Sequence, residues 1–413
     1  MSTPAPEIRT LDNGICIVAE PMPGAQSVVM GMRFAFGAKD DPADRLGITR
    51  IAEDVLFKGT PAYDAHAVFN AFDNLGIRRS SNTSVEHTTF QAQMLPANFP
   101  RALALYAEFF SSASFPDSEI ETAKAITVEE LKRLEDDPMQ QVLILTYQAG
   151  LGSPMGRLPL GNAASVLSIT PSDVRQHWDA HCSPRNLIVS AAGGVTADEI
   201  FDAVHEAFGD WKGQVVPIEP AHALTIANRT EHHEKPSEQT HIAMLYRGTP
   251  RGHALYYPAQ LALGILSGGG SSRLFTEVRE KRGLAYSVTA FYRARRHGGL
   301  VTLYAGTTAD RAQETLDVCL SELSRLRQDV TREELVRAKT VIKGGLFTTG
   351  DLPDGRASGI LEDVFLQKRA RSIDEIAAAI DAVTLDQIKL YLDAFPPTPS
   401  TLVALGPRPL IRA

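Results

Sequence analysis

Apolar residues follow two rhythms along this chain. Ile48, Ile51, Ala52, Val55 and Leu56 recur at steps of three and four, which predicts an amphipathic helix within Gly47–Thr60. Arg50, Glu53 and Asp54 fall at i, i+3 and i+4 on another face of that helix. Before it, the turn Leu11-Asp12-Asn13-Gly14 leads into a strand over Ile15–Glu20, and a strongly apolar strand covers Ser27–Phe36. After it, His66–Leu75 is predicted helical with Phe69 and Phe72 inward. Ile77–Met94 reads as two strands, with Thr88, Phe90 and Ala92 alternating, and Phe99–Ser112 and Asp117–Asp136 read as helices.

The second half repeats the first. Ile169-Thr170-Pro171-Ser172-Asp173-Val174 matches Val383-Thr384-Leu385-Asp386-Gln387-Ile388, and Glu119-Ile120 with Ala123-Lys124 matches Glu334-Leu335 with Ala338-Lys339. Two separate helices with nearly one offset indicate an internal duplication. The fold class expected is α+β: two duplicated domains, each a mostly antiparallel sheet covered by helices on one face. The expected division is an N-terminal domain over 1–217, a linker over 218–238 around the polar run Asn228 to Pro236, and a C-terminal domain over 239–413.

Composition narrows the function. A chain of 413 residues exceeds one ordinary core, and 44% hydrophobic with 22% charged residues is the balance of a globular protein. A net charge of -8 argues against a nucleic-acid surface. The chain has no apolar run long enough to span a bilayer and no apolar signal core at its start, so no membrane association is expected. Three scattered cysteines, Cys16, Cys182 and Cys319, fit reduced thiols and a cytoplasmic location.

Two ligands four apart on a helix, with a Glu just before the second, is zinc-peptidase geometry. Here the first position is Arg50, which offers no lone pair. Arg50 can instead pair with Glu53 and Asp54 and replace a metal's charge. Other candidates read as ordinary structure: His232-His233 as part of a solvated linker, His87 as a half-buried strand residue, and Gly268-Gly269-Gly270 as a tight turn lacking the Gly-Lys-Ser/Thr of a phosphate loop.

With the duplication and the helix in hand, the chain resembles the pitrilysin/insulinase family of zinc metallopeptidases, in its mitochondrial-processing-peptidase-like branch. That family carries Gly-x-x-His-x-x-Glu-His before Leu-Phe-Lys-Gly-Thr. Gly47, Glu53 and the tail Leu56-Phe57-Lys58-Gly59-Thr60 match, while the two His positions are Arg50 and Asp54. Glu130, ahead of Glu135-Asp136-Asp137-Pro138, stands where the family has its third ligand. The family's Asn-Ala ahead of Thr83-Ser84 is Ser80-Ser81, a second departure. In the second half, Gly268-Gly269-Gly270-Ser271-Ser272-Arg273-Leu274-Phe275 leads to Arg279 and Tyr286, at the family's Arg/Tyr spacing.

The resemblance implies a subunit that binds no metal, with Arg50, Glu53, Asp54 and Glu130 as a degenerate zinc site. Arg279 and Tyr286 would act in trans on the zinc of a homologous partner chain carrying His-x-x-Glu-His. The two chains would close as a clamshell on a peptide or unfolded polypeptide that adds as a strand to a sheet edge. A structural or assembly protein with a retired peptidase fold is the alternative from another class.

Overall fold

The chain is described by a computed structural model covering residues 5–213 and 224–411. It divides into two compact units. Unit 1 is Met1–Lys132, Arg157–Pro220 and Thr348–Ser372; unit 2 is Arg133–Gly156, Ala221–Phe347 and Ile373–Ala413.

The strands of unit 1 are β1 (Glu7–Thr10), β2 (Cys16–Pro21), β3 (Val28–Phe34), β4 (Arg78–Thr83), β5 (Thr88–Met94) and β6 (Leu187–Gly193), in the order β1-β2-β6-β3-β5-β4. Those of unit 2 are β7 (Arg229–Glu234), β8 (Gln239–Gly248), β9 (Ala285–Arg295), β10 (Gly298–Thr308) and β11 (Thr401–Gly406), in the order β7-β11-β8-β10-β9. Each sheet is antiparallel but for one parallel pair, β2 with β6 and β7 with β11. Without β1 the two orders are the same, so the duplication extends to topology, with β4 and β9 as equivalent edge strands.

In chain order the helices are α1 (Ile48–Val55), α2 (Ala65–Asp73), α3 (Phe99–Ser112), α4 (Asp117–Glu135), α5 (Pro138–Leu151), α6 (Ala163–Ser168), α7 (Pro171–His181), α8 (Ala197–Phe208), α9 (Tyr256–Ser267), α10 (Ala312–Gln328), α11 (Arg332–Gly350), α12 (Pro353–Gln367), α13 (Ile373–Asp381) and α14 (Leu385–Ala394). The repeat shows in side-chain detail. Thr170 caps α7 and Thr384 caps α14 in matching capping boxes. Lys124 Nζ donates to the Ile169 carbonyl at 2.8 Å, and its counterpart Lys339 donates to the Val383 carbonyl at 2.6 Å.

The inner strands of each sheet are buried on both faces. In unit 1, Ile17, Met30, Met32 and Val189 face the main core with α1, α3, α7 and α8. Val18 and Ile188 face the other way, against Ile360, Leu361 and Val364 of α12. In unit 2, Ile242, Met244 and Leu303 face α9, α10 and α14, while Ala243, Tyr304, Val403 and Leu405 face Val142, Leu143 and Ala149 of α5. Strands apolar on both faces need cover on both. Each half of the sequence sends one helix to do this for the other half's sheet.

This exchange differs from the one-sided cover and the single division at 217 and 239 expected from sequence. The expected linker differs too. Its residues 218–223 lie outside the described residues, and Arg229–Glu234 is strand β7, paired in register with Thr401–Gly406. An edge strand has one wet side, which explains its polar composition. His232 Nε2 meets the Gly406 carbonyl at 2.8 Å, so that residue is part of the sheet.

Close approach and buried charge hold α12 to its sheet. A Cβ on Gly31 would lie 2.8 Å from both Leu361 Cδ2 and Ser190 Oγ, so a larger residue there requires those side chains to shift. Arg356 forks onto Glu20 at 2.8 and 2.5 Å, and Arg371 onto Asp363 at 3.0 and 2.7 Å, all four residues buried. Arg356 also donates to the Arg371 carbonyl at 2.9 Å.

Candidate functional site

The α1 helix begins at Gly47, whose φ of +94° is a left-handed conformation open to glycine at little cost. Asp41 caps it from outside. Its carboxylate accepts the backbone N–H of Gly47 at 2.7 Å, that of Thr49 at 3.2 Å and the Thr49 hydroxyl at 2.5 Å. Burial pushes the Asp41 carboxyl up to about 6 against those hydrogen bonds. His177 Nε2 meets Thr49 Oγ1 at 2.8 Å, and burial lowers His177 to about 3, so it is neutral. Arg157 clamps the preceding loop through the carbonyls of Ala38, Lys39 and Asp41 at 3.2, 3.1 and 2.6 Å.

Ile48, Ile51, Ala52 and Val55 point into the core as their spacing predicts. The helix stops at Val55 and tightens into a 3-10 turn, within which Phe57 leaves helical geometry, and Gly59 after it takes a positive φ of +157°. The polar face brings together Arg50, Glu53, Asp54 and, from α4, Glu130. The Arg50 guanidinium meets the Asp54 carboxylate directly, Glu53 Oε2 at 3.2 Å and Glu130 Oε2 at 4.0 Å. Glu53 is buried and also accepts the Thr83 hydroxyl of β4 at 3.1 Å. Burial alone would lower Arg50; Glu53, Asp54 and Glu130 outweigh it and hold its pKa above the usual value. Burial raises Asp54 to about 6, with Arg50 opposing.

This arrangement does not fit zinc. A tetrahedral site needs three lone-pair donors around one point, and here a guanidinium occupies the space among the carboxylates. Among the described residues, no group of three or more His, Cys, Asp or Glu side chains is arranged to hold a metal ion.

Arg279 and Tyr286 lie in unit 2. Phe275–Glu280 forms a π-helical turn, closed by Lys281 N–H to the Thr276 carbonyl at 2.9 Å. Such turns re-aim side chains at the expense of regular helix. The chain leaves it through Gly283, at φ +56°, with Arg311 donating to the carbonyls of Gly283 and Arg282, both at 2.8 Å. Tyr286 then falls at a β-bulge. Ala285 pairs with Thr307 and Ser287 with Gly306, so Tyr286 is the extra residue. It is 84% exposed.

The Arg279 guanidinium sits 5.0 Å from the ring centroids of both Phe275 and Tyr286. Glu277 is taken by Lys281 at 2.6 Å and Arg282 at 3.6 Å. Arg279 therefore has no carboxylate partner among the described residues. Sequence reasoning missed Phe275; its position four before Arg279 on a helix was the available signal. It also missed Thr83 and Asp41, whose roles depend on contacts across the fold.

One expectation is corrected, that for Phe69, and the reading of the glycine run as a turn agrees with the structure. Phe72 is buried, but Phe69 is 46% exposed. Phe69 covers the cations of Lys58 and Arg79 at 5.9 and 5.8 Å rather than the core. The glycine run 268–270 serves a structural turn: Ser272 Oγ donates to the Gly269 carbonyl at 2.6 Å, and Arg273 beside it is buried on Glu334 and Asp329.

Comparison with known proteins gives concordant matches. Residues 16–156 match the family described as insulinase (peptidase family M16), and 168–342 match the peptidase M16 inactive domain. A protein of Streptomyces coelicolor named an uncharacterized zinc protease is 30% identical over 393 residues, covering 92% of this chain and 85% of its own length. One of Bacillus subtilis, similarly named, is 29% identical over 385 residues, covering 92% and 93%.

Among solved structures, a peptidase M16 inactive domain from Pseudomonas fluorescens superposes with a TM-score of 0.90 at 19% identity, covering 98% and 99% of the two chains. A chain of complex III2 from Candida albicans does so at 0.84 and 21%, covering 97% and 95%. At those identities the structures establish the fold.

Proposed function

The chain belongs to the insulinase family of peptidases, family M16, without that family's zinc motif, and from that premise we propose that it is the non-catalytic, activity-supporting subunit of a two-chain zinc metallopeptidase. Its partner is a homologous chain carrying His-x-x-Glu-His, and the zinc belongs to that partner. The substrate is an oligopeptide or unfolded segment enclosed by the two chains, which work in the cytoplasm.

One observation carries this reading: Tyr286, lifted from the sheet by a bulge, stacks on an Arg279 that has no acid of its own. An exposed aromatic and a cation without a counter-ion serve no purpose in the core of unit 2. Presented to a partner's site, they have a use. The phenol O–H donates to the oxyanion that forms when a peptide carbonyl is attacked. Arg279 holds a neighbouring substrate carbonyl and adds positive charge. In this chain Arg50 stands in for the metal's charge, keeping Glu53, Asp54 and Glu130 from repelling one another.

The test is co-expression with a homologous chain carrying His-x-x-Glu-His, followed by zinc analysis of each separated chain and peptide cleavage by each and by both. The reading expects zinc in the partner alone and cleavage by the pair alone. Zinc bound stoichiometrically to this chain, or cleavage by it unaided, overturns it.

The likeness to a chain of complex III2 supports a second reading, a structural or assembly subunit. That reading expects stable association with partner subunits and no effect of Arg279 or Tyr286 substitutions on any cleavage.

A further inference from the structure

The four arginines buried outright among the described residues each meet a carboxylate: Arg33 meets Glu362, Arg273 meets Asp329 and Glu334, Arg356 meets Glu20, and Arg371 meets Asp363. Arg79 is different. It is half-buried on β4, and its guanidinium lies 4.8 Å from the ring centroids of Phe57 and Phe72 and 5.8 Å from that of Phe69. No hydrogen bond or ion pair reaches it among the described residues. Asp73 and Tyr106 act on it only at a distance, and burial lowers its pKa. Three rings hold the side chain in place, but a quadrupole does not neutralise a charge. The result is a fixed, partly dehydrated cation with an open valence.

Its setting names what could fill that valence. β4 is the last strand of its sheet, and no strand pairs with its outer side among the described residues. Alternate backbone groups of Arg78–Thr83 are therefore open to a further strand. Arg78, Ser80, Ser81 and Asn82 along it are exposed, so the edge is polar and cationic at one end. By the period of two, Arg79, Ser81 and Thr83 share a face. Thr83 carries the buried Glu53, so Arg79 lies about 13 Å along the strand from that negative charge.

We propose that Arg79 receives a carboxylate, from an acidic side chain or from the free C terminus, of an extended peptide lying along the outer edge of β4. This rests on the reading that the chain handles peptides, and it adds a substrate class: segments with a carboxylate at a fixed place along the strand. The charge is complementary, and the aromatic seat pre-organises the fork for bidentate pairing.

Direct binding tests it without any partner chain. Fluorescence anisotropy is measured on the full chain with four fluorescein-labelled octapeptides of Val and Thr, carrying a central Glu or Gln and a free or amidated C terminus. The wild type should bind a carboxylate-bearing peptide about tenfold or more tightly than the amidated Gln peptide. That preference should vanish in Arg79→Met, whose stem still rests on the rings, and persist in part in Arg79→Lys. Preference for Glu identifies a side chain, and preference for the free terminus identifies a C terminus; either supports the proposal.

Equal binding of all four peptides, or a preference that survives Arg79→Met, overturns it. Absence of binding at millimolar peptide also overturns it and makes Arg79 an inward charge guarding the edge. Where Arg79→Met unfolds by circular dichroism, Arg79→Gln gives the same comparison. Loss of the cleavage activity proposed above would leave these affinities untouched, so the two readings fail separately.

Discussion

Arg50 and Asp54 stand one turn apart on α1 with guanidinium against carboxylate, so the helix carries an ion pair at the two positions where its family places histidines. The pair is enclosed by Glu53 and Glu130, and the three acids depend on one cation.

Removing that cation should be costly. Arg50→Met leaves three carboxylates facing one another, and the fold should lose about 2 kcal/mol, less than the roughly 3–5 kcal/mol of a fully enclosed pair because Arg50 keeps some solvent contact. Adding Asp54→Leu should restore part of the loss. Urea unfolding of the single and double variants measures both.

The acids around α1 give the stability an unusual pH dependence. Burial raises Asp41 and Asp54 to about 6, whereas an unfolded aspartate titrates near ~3.9. Between those values the folded chain holds protons that the unfolded chain has released. Their contribution is therefore complete below about pH 4 and is lost as pH rises through about 6. Relative to Asp41→Asn, the wild type should lose up to about 1.4 kcal/mol per pH unit between about pH 4.5 and about pH 6. Urea midpoints across that range are the measurement, and parallel curves would remove Asp41 from the account.

Helix α12 should be anchored by its charges as much as by its apolar face. Arg356→Met strands Glu20 in the interior and should destabilise unit 1 by about 3–5 kcal/mol. The paired change with Glu20→Leu should recover much of that. Protease nicking within Pro353–Gln367 should rise in the single variant, readable by mass spectrometry.

Much of the fold was legible because its cause is local. Ile48, Ile51, Ala52 and Val55 set the helix and its buried face, and the matching segments that begin at Ile169 and Val383 announced the duplication. The exchange of α5 and α12 was not legible. Apolar periodicity says that Val142 and Leu143, or Ile360 and Leu361, face a sheet, but not which sheet. Phe69 was misplaced for a related reason: helical spacing put it inward, and the two cations that claim its ring come from Lys58 and Arg79, both outside α2. Of the candidate site, the clustering of Arg50, Glu53 and Asp54 follows from sequence spacing. The bulge at Tyr286 was not legible, because it depends on the register of β9 against β10, and the spacing that pairs Phe275 with Arg279 did not show that a π-helical turn carries them.

The stack predicts an order of severity. Arg279→Lys keeps the charge but loses the planar face between Phe275 and Tyr286, so it should behave closer to Arg279→Ala than to wild type in two-chain cleavage. Steady-state rates for the three proteins with one partner preparation give the ranking.

The most direct measurement is the turnover number of the reconstituted two-chain enzyme with Tyr286 or Tyr286→Phe in this subunit. The substitution removes one hydroxyl from an exposed ring and leaves folding and assembly intact. The account predicts kcat lower by about 100- to 1,000-fold with KM little changed. Equal kcat for the two proteins would contradict it.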